Sequence, residues 1–336
     1  MTTADGKIYV THGGGHRSSY LRVLGSELGL APYIRKPGLS TLRTLLAAQK
    51  LLFATMEDSL LFFAIVALMR DVMQRSTTAI FMNPRTFFEP GGWRTRLKRL
   101  LARFLNGRRR ITMISILPHA IDPRYMQVSR AWIYDPELWD LGDVFAPASL
   151  PPATLDAALE IVGIAPYLLL TGRISGYKGF GFFIEGMRQA EARGSTLKFV
   201  AAGPIDSECL AAAEAFRQAG GILIARFLTD DEFFALQRGA ACLWACYRPD
   251  YNSSSGIFGR ALQLDKRVIV NRGTYLDALA SLLGFAALRC RYGDQADLQP
   301  ILDELAAPST PRHGPPTATG SLRVFSLTTL RAAISA

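Results

Sequence analysis

Arg173 and Lys178 lie five residues apart in the stretch Gly172 to Gly179, GRISGYKG, directly after the apolar run Tyr167 to Thr171. Arginine offers a planar fork of donors and lysine a compact charge, so a loop carrying both suits a phosphate group. Two further stretches have the same character. The strand-like run Leu197 to Ala201 ends at the turn Ala202, Gly203, Pro204. Ser253, Ser254, Ser255 and Gly256 lead into Phe258, Ala261, Leu262 and Leu264 at helical spacing, before the apolar strand Val268 to Val270. A helix beginning in such a turn presents unpaired backbone N–H groups and the positive end of its dipole, where diphosphates bind. Taken singly, each feature also fits a solvated loop or a capped helix. All three stand where strands end, which is where open α/β sheets bind ligands.

The histidines come next. Lys7 to Thr11 is a short strand followed by His12, Gly13, Gly14, Gly15 and His16, then a helix carrying Tyr20, Leu21, Val23, Leu24 and Leu28. Gly14 and Gly15 allow a tight turn and a close backbone approach to a ligand. GGGHRSS lacks the GxGxxG spacing of a dinucleotide fingerprint. His119 follows Pro118 after the strand Ile111 to Leu117. His16 and His119 are the candidate bases, against the ordinary reading of a structural histidine at a strand end. Asp230 and Asp231 sit inside the capping box Thr229 to Glu232 and make no DxD arrangement. Cys209, Cys242, Cys246 and Cys290 have no CxxC or Cys/His metal spacing, so no metal is expected.

A third chemistry is carried by Trp93 to Leu105. Trp93, Leu97, Leu100, Leu101, Phe104 and Leu105 fall on one helical stripe, flanked by Arg94, Arg96, Lys98, Arg99 and Arg103 and followed by Arg108, Arg109 and Arg110. Such a helix can lie on anionic lipid headgroups, each cation near the surface contributing roughly 1 kcal/mol. The other reading packs the stripe on a sheet and leaves the charges solvated. Nucleic acid is a weaker option, since no helix-turn-helix, zinc or RNP pattern accompanies the charge.

The elements that must position these residues alternate strand and helix through both halves of the chain. In the first half, Leu51 to Thr55 reads as a strand, Ser59 to Met73 as a buried helix with Asp58 as its cap, and Thr78 to Met82 and Ala131 to Tyr134 as further strands. In the second, helices are expected at Phe180 to Ala192 and Ser207 to Ala219, with strands at Ile222 to Phe227 and Ala241 to Tyr247. The 336 residues divide into 1–150, a Pro-rich linker at Ala146 to Thr154, 151–310, and a Pro/Ser/Thr-rich connection into a last helix, 311–336, that packs back on the first domain. Apolar residues at 49% give both domains a core, and a net charge of +10 implies an anionic partner. The sparse cysteines fit buried free thiols in a reducing cytoplasm. No signal peptide is expected from Met1 to Val10, and Leu51 to Met69 is broken by Glu57 and Asp58, so any membrane association is expected to be peripheral.

At these motifs the sequence resembles the GT-B glycosyltransferases, in particular the large retaining nucleotide-sugar family of glycosyltransferase family 4 type. LLLTGRISGYKGFGFFIEGM is similar to that family's GR…KG motif, LKFVAAGP to its GxGP strand end, and FLTDDEFFALQRGAACLWACY to the segment leading to its acceptor-facing loop. SSSGIFGRALQLDKRVIVN is similar to its last motif. The match covers Tyr167 to Asn271, and the first half corresponds in architecture only. The resemblance implies an α/β chain of two Rossmann-like domains facing across a cleft, 1–150 taking the acceptor and 151–310 the nucleotide sugar. It implies that Arg173 and Lys178 hold and stabilise the departing diphosphate. Gly203 and Pro204 border the donor, Ser253, Ser254, Ser255 and Gly256 meet its phosphates, and Arg226, Phe227 and Leu228 contact the base. Gly14 and Gly15 approach the donor phosphate or acceptor, and His119 stands near the transferred sugar. The chain departs from the family where it has paired glutamates: Asn252 and Arg260 occupy those positions.

The expectation is a metal-independent hexosyltransferase without cofactor, cytoplasmic and peripheral on the inner face of the membrane. It would move a sugar from a nucleotide diphosphate sugar to a lipid-linked saccharide in bacterial surface polysaccharide (exopolysaccharide) biosynthesis. Retention is favoured; inversion would call on His16 or His119 as base. The alternatives are the same fold with a soluble saccharide acceptor, or a non-catalytic nucleotide- or nucleic-acid-binding protein.

Overall fold

The computed structural model describes residues 6–13, 16–139, 166–251, 253–307 and 319–335. The chain divides into two units, Met1–Pro136 with Gly320–Ala336, and Glu137–Thr319. The Pro-rich segment Ala146 to Thr154 and most of the segment before the last helix lie outside the described residues.

The first unit runs β1 (Gly6–Val10), α1 (His16–Leu28), β2 (Ala31–Ile34), α2 (Leu39–Ala47), β3 (Lys50–Phe53), α3 (Leu60–Val72), β4 (Thr77–Phe81), α4 (Trp93–Asn106), β5 (Ile111–Ser115) and β6 (Ala131–Trp132). The strands form one parallel sheet in the order β2-β1-β3-β4-β5-β6. The winding reverses between β1 and β3, so the crevice of this unit opens where those strands end. β2 and α2 are two elements beyond those expected from the sequence pattern. Pro32 disguises β2, which is an edge strand, the position where a sheet tolerates a missing N–H.

Three helices share one side of this sheet. Leu45 of α2, Phe63, Ala64, Val66 and Ala67 of α3, and Ala102 and Leu105 of α4 pack in a single core with Tyr9, Phe53, Phe81 and Met113. Two expectations are corrected here. Segment 59–73 is not a buried helix capped by Asp58, because Asp58 is held by Arg17 and Thr55 instead. Its outward residues Leu61, Ile65, Met69, Val72 and Met73 are exposed. The stripe of α4 does not pack on the sheet as a whole: Leu105 is buried, whereas Trp93, Leu97, Leu100 and Phe104 are each more than half exposed. Ala102 and Leu105, with Leu101 partly buried beside them, supply the inward contacts that Trp93, Leu97, Leu100 and Phe104 do not.

The second unit runs β7 (Tyr167–Thr171), α5 (Phe180–Ala192), β8 (Lys198–Ala202), α6 (Leu210–Gln218), β9 (Ile222–Ile224), α7 (Asp230–Gly239), β10 (Cys242–Ala245), α8 (Gly256–Gln263), β11 (Val268–Asn271), α9 (Tyr275–Leu282), β12 (Leu288–Cys290) and α10 (Gln295–Ala306). Its parallel sheet has the order β12-β11-β10-β7-β8-β9, so the winding reverses between β7 and β10. All five residues of β7 are buried, as expected of a strand covered on both faces. The four cysteines are buried free thiols.

The last helix, α11 (Thr319–Ser335), belongs to the first unit. Ser326 Oγ accepts from Tyr134 N–H at 3.0 Å, Thr78 Oγ1 donates to the Ala333 carbonyl at 3.0 Å, and Arg323 pairs with Glu27. Phe325 packs on Trp132 with ring centroids 4.8 Å apart. Among the described residues no helix is long and apolar enough to cross a membrane.

Candidate active site

The reversal between β7 and β10 decides which loops meet. The loop Gly172 to Gly179 leaves β7, the stretch Tyr247 to Gly256 leaves β10, and the Gly203 turn leaves β8 on the far side of β7. All three therefore gather at the carboxyl ends of three adjacent strands.

Backbone contacts lock them together. Gly172 N–H donates to the Ala202 carbonyl at 3.0 Å, Ile174 N–H to the Pro204 carbonyl at 2.8 Å, and Asp206 N–H returns to the Ile174 carbonyl at 3.0 Å. Gly203 adopts φ +143 with its Cα so close to the Gly172 carbonyl that any Cβ would collide. A glycine is required there because the two loops touch backbone to backbone. On the other side, Gly179 (φ +78) lies against the Cys246 carbonyl in the same way. Trp244 Nε1 donates to the Lys178 carbonyl at 3.2 Å, and Arg248 N–H to the Tyr177 carbonyl at 3.2 Å.

Lys178 is the cation at the centre of this arrangement. Its Nζ lies over Gly172, 3.0 Å from where a Cβ would be, and 6.0 Å from the Tyr247 ring centroid. Tyr247 is buried, and burial pushes its hydroxyl pKa well up, so it remains an O–H that shares a 3.0 Å hydrogen bond with Ser255 Oγ. Ser255 is the N-cap of α8, accepting from Phe258 N–H. A chain of contacts thus runs from the lysine through the tyrosine to the helix start. Asn271 fixes it from below, donating to the Tyr247 carbonyl at 3.0 Å and accepting from Tyr292 N–H at 3.1 Å. Arg173 is 65% exposed and bonded to Asp206 Oδ1 at 2.8 Å, so an incoming phosphate would compete with that surface pair.

The flanking residues divide. Phe227 is 78% exposed, presenting a bare ring after β9. Arg226 is clamped by Glu232, whose carboxyl its guanidinium holds down at about 2, within a complete Thr229–Glu232 capping box. Arg260, at a family glutamate position, lies with its guanidinium 5.0 Å from the Phe234 ring and bonds Gln263. Asn252, Gly14 and Gly15 lie outside the described residues, as does the side chain of His16. Ser253 and Ser254 are half-buried in the loop, where the Ser254 carbonyl accepts from Tyr251 Oη. No group of three or more His, Cys, Asp or Glu residues that could hold a metal ion occurs among the described residues.

In the first unit, His119 sits at the end of β5 with Nε2 2.8 Å from Ser129 Oγ. Burial lowers its pKa, which favours the neutral ring. Sequence reading missed Glu57, which joins the ends of β3 and β4: one carboxyl oxygen accepts from the backbone N–H of Met82 and of Asn83. Beside it, burial favours the neutral form of Asp58, but hydrogen bonds from Arg17 and Thr55 outweigh this and hold its carboxyl low. Burial raises the Glu57 carboxyl to about 7, assisted by the Asp58 charge and opposed by the two N–H donors. The lone signal in the sequence was an acidic pair interrupting an apolar segment at a strand end.

This gives a pH prediction with a definite sign. The folded state holds the Glu57 proton up to about pH 7, whereas the unfolded chain releases it near its ordinary value of 4.5. Stability from this group is therefore full below pH 4.5 and is lost as pH rises through 7. Glu57→Gln, which keeps an acceptor for both N–H groups, should flatten the fall in unfolding free energy between pH 5 and 8, a difference on the order of 2 kcal/mol. Urea melts at the two pH values check it; equal slopes in wild type and variant would contradict it.

No family model and no curated protein sequence matches the chain. Solved structures do. HepE from Anabaena in complex with UDP is similar at TM-score 0.63 and 12% identity, over 98% of both chains. Sucrose-phosphate synthase from Thermosynechococcus elongatus is similar at TM-score 0.55 and 13% identity, over 98% of this chain and 94% of that one. WaaG, a glycosyltransferase involved in lipopolysaccharide biosynthesis, is similar at TM-score 0.54 and 13% identity over the same shares. Identity this low speaks to architecture: the chain has the two-domain, Rossmann-like GT-B fold of these glycosyltransferases.

Proposed function

We propose that this chain is a glycosyltransferase that takes a sugar from a nucleotide diphosphate donor bound by the second unit and passes it to an acceptor bound by the first. The observation that carries the reading is the convergence of Lys178, Arg173, the Gly203 turn and the Ser255-capped start of α8 at the reversal between β7 and β10. As the bond from the anomeric carbon to the diphosphate breaks, charge accumulates on the leaving phosphate oxygens. A lysine and helix-terminal amides fixed in advance stabilise that charge, so departure needs no metal. Phe227 offers its exposed ring to the base. Binding of UDP by HepE supports a uridine donor.

Within this reading the chain is a divergent member of the retaining nucleotide-sugar family, its paired glutamates replaced by Asn252 and Arg260. The seating of Arg260 against Phe234 and Gln263 supports a ribose contact made by other groups. The proposed acceptor is a lipid-linked saccharide of bacterial surface polysaccharide assembly, met at the cytoplasmic face of the membrane. Support comes from α4, whose exposed Trp93, Leu97, Leu100 and Phe104 are bordered by Arg94, Arg96, Lys98, Arg99 and Arg103 with no acid between.

Donor binding is tested by thermal shift across UDP-, GDP-, ADP- and dTDP-sugars. One nucleotide class should raise Tm, and failure of all would defeat the reading, since a ligand of the folded state must stabilise it. Neutralising Arg94, Arg96, Lys98 and Arg99 together should lower binding to vesicles containing phosphatidylglycerol by at least about tenfold. Unchanged binding would remove the membrane part.

A further inference from the structure

Helix α3 is inverted relative to an ordinary surface helix. Its charged residues, Arg70 and Asp71, point inward: Arg70 is fully buried, and Asp71 is buried and paired with Arg108 at 2.7 Å. Its outward side carries no charge. Leu61, Ile65, Met69 and Val72 follow one another at helical spacing, with Leu61 72% and Val72 78% exposed, and Met73 extends the stripe beyond the helix end. Interior-type side chains left outward along a helix of about 20 Å mark a surface that something else covers.

The neighbouring helix indicates what. Because α3 and α4 pack on the same side of the sheet through one core, their outer surfaces belong to one face of the unit. On that face α3 supplies apolar side chains without charge, and α4 supplies Trp93, Leu97, Leu100 and Phe104 among five cations without an acid. A second copy of the chain meeting this face across a two-fold axis would place both cationic α4 helices in one interface, with no outward-facing acid from α3 or α4 of either copy to offset them. An anionic bilayer satisfies both halves, its phosphates taking the arginines and its acyl boundary taking the apolar stripes.

We infer that the outer face of α3 is itself a bilayer-contacting surface, inserted beside α4, so that two helices seat the first unit on anionic lipid. The inference rests on the membrane part of the proposed function and fails separately from it. The test uses full-length protein labelled with nitrobenzoxadiazole at Ile65→Cys on α3, Leu97→Cys on α4, or Leu210→Cys on α6 as a control; the four native thiols are buried. With vesicles of phosphatidylcholine and phosphatidylglycerol, the probes at positions 65 and 97 should brighten and shift to the blue, and the probe at 210 should not. A response at 97 but not at 65 would overturn the inference while leaving α4 docking intact. No response at either would overturn both. A blue shift at 65 that depends on protein concentration without vesicles would assign the face to a second copy, and one already complete in dilute protein would assign it to the chain itself; either overturns the inference.

Discussion

Arg70→Met is expected to cost the first unit roughly 3–5 kcal/mol, because each buried carbonyl left without a donor costs on the order of 1–3 kcal/mol. The Arg70 guanidinium is fully buried and donates to the carbonyls of Leu45 (2.9 Å), Leu46 (3.3 Å), Ala48 (2.6 Å), Gln49 (3.2 Å) and Ser76 (2.7 Å), and to Thr77 Oγ1 (3.0 Å). The first four acceptors lie at the C-terminal end of α2 and just beyond it, where carbonyls lack intrahelical partners and the dipole is negative. Burial lowers the Arg70 pKa to about 10, so the charge persists at neutral pH and the helix end meets it without a carboxylate. Methionine fills a similar length but leaves these carbonyls buried and unpaired. Lysine has three donors in place of five and should fall between. Urea unfolding followed by far-ultraviolet circular dichroism reads the loss; a Met variant within 1 kcal/mol of wild type would show that water replaces the guanidinium.

Lys178→Ala should lower kcat/KM for donor turnover by about 10²–10³, the effect of removing one preorganised donor from a developing oxyanion. Stability should barely change, because the Lys178 carbonyl still receives Trp244 Nε1 and the Gly179 contact is backbone. Arg173→Ala should cost less, since Arg173 is exposed and already shared with Asp206. Steady-state release of nucleoside diphosphate measures both. Equal losses at the two positions would mean that charge near the phosphates matters more than its placement over Gly172.

The loops after β7, β8 and β10 were legible in the sequence because their local structure is written in single residues: a glycine at a backbone crossing, a serine at a helix start and a lysine after a strand each carry their own signal. The switch point was not, because strand order depends on which strands pair across the whole unit. Sequence patterns placed strands at β7 and β10 without showing that they are neighbours. Glu57 was hidden for the same reason, its partners Met82 and Asn83 being backbone groups of a different strand end. The α3 stripe misled in the opposite direction. An apolar run reads as buried, and only the inward turn of Arg70 and Asp71 reveals that part of it faces out. On α4 the spacing identified the stripe correctly, but not that Ala102 joins Leu105 inward while Trp93 and Leu100 stay exposed.

The central claim is that a nucleotide diphosphate held over Lys178 and the start of α8 is a leaving group and not merely a ligand. The most direct measurement is release of free nucleoside diphosphate by the purified wild-type chain from the nucleotide sugar that most raises its Tm, with acceptor-bearing membranes present and absent. Release that membranes stimulate and that Lys178→Ala reduces by at least about a hundredfold is the predicted result. Stabilisation by the nucleotide with no release under either condition would contradict it, and would make the chain a nucleotide-binding protein on a transferase fold.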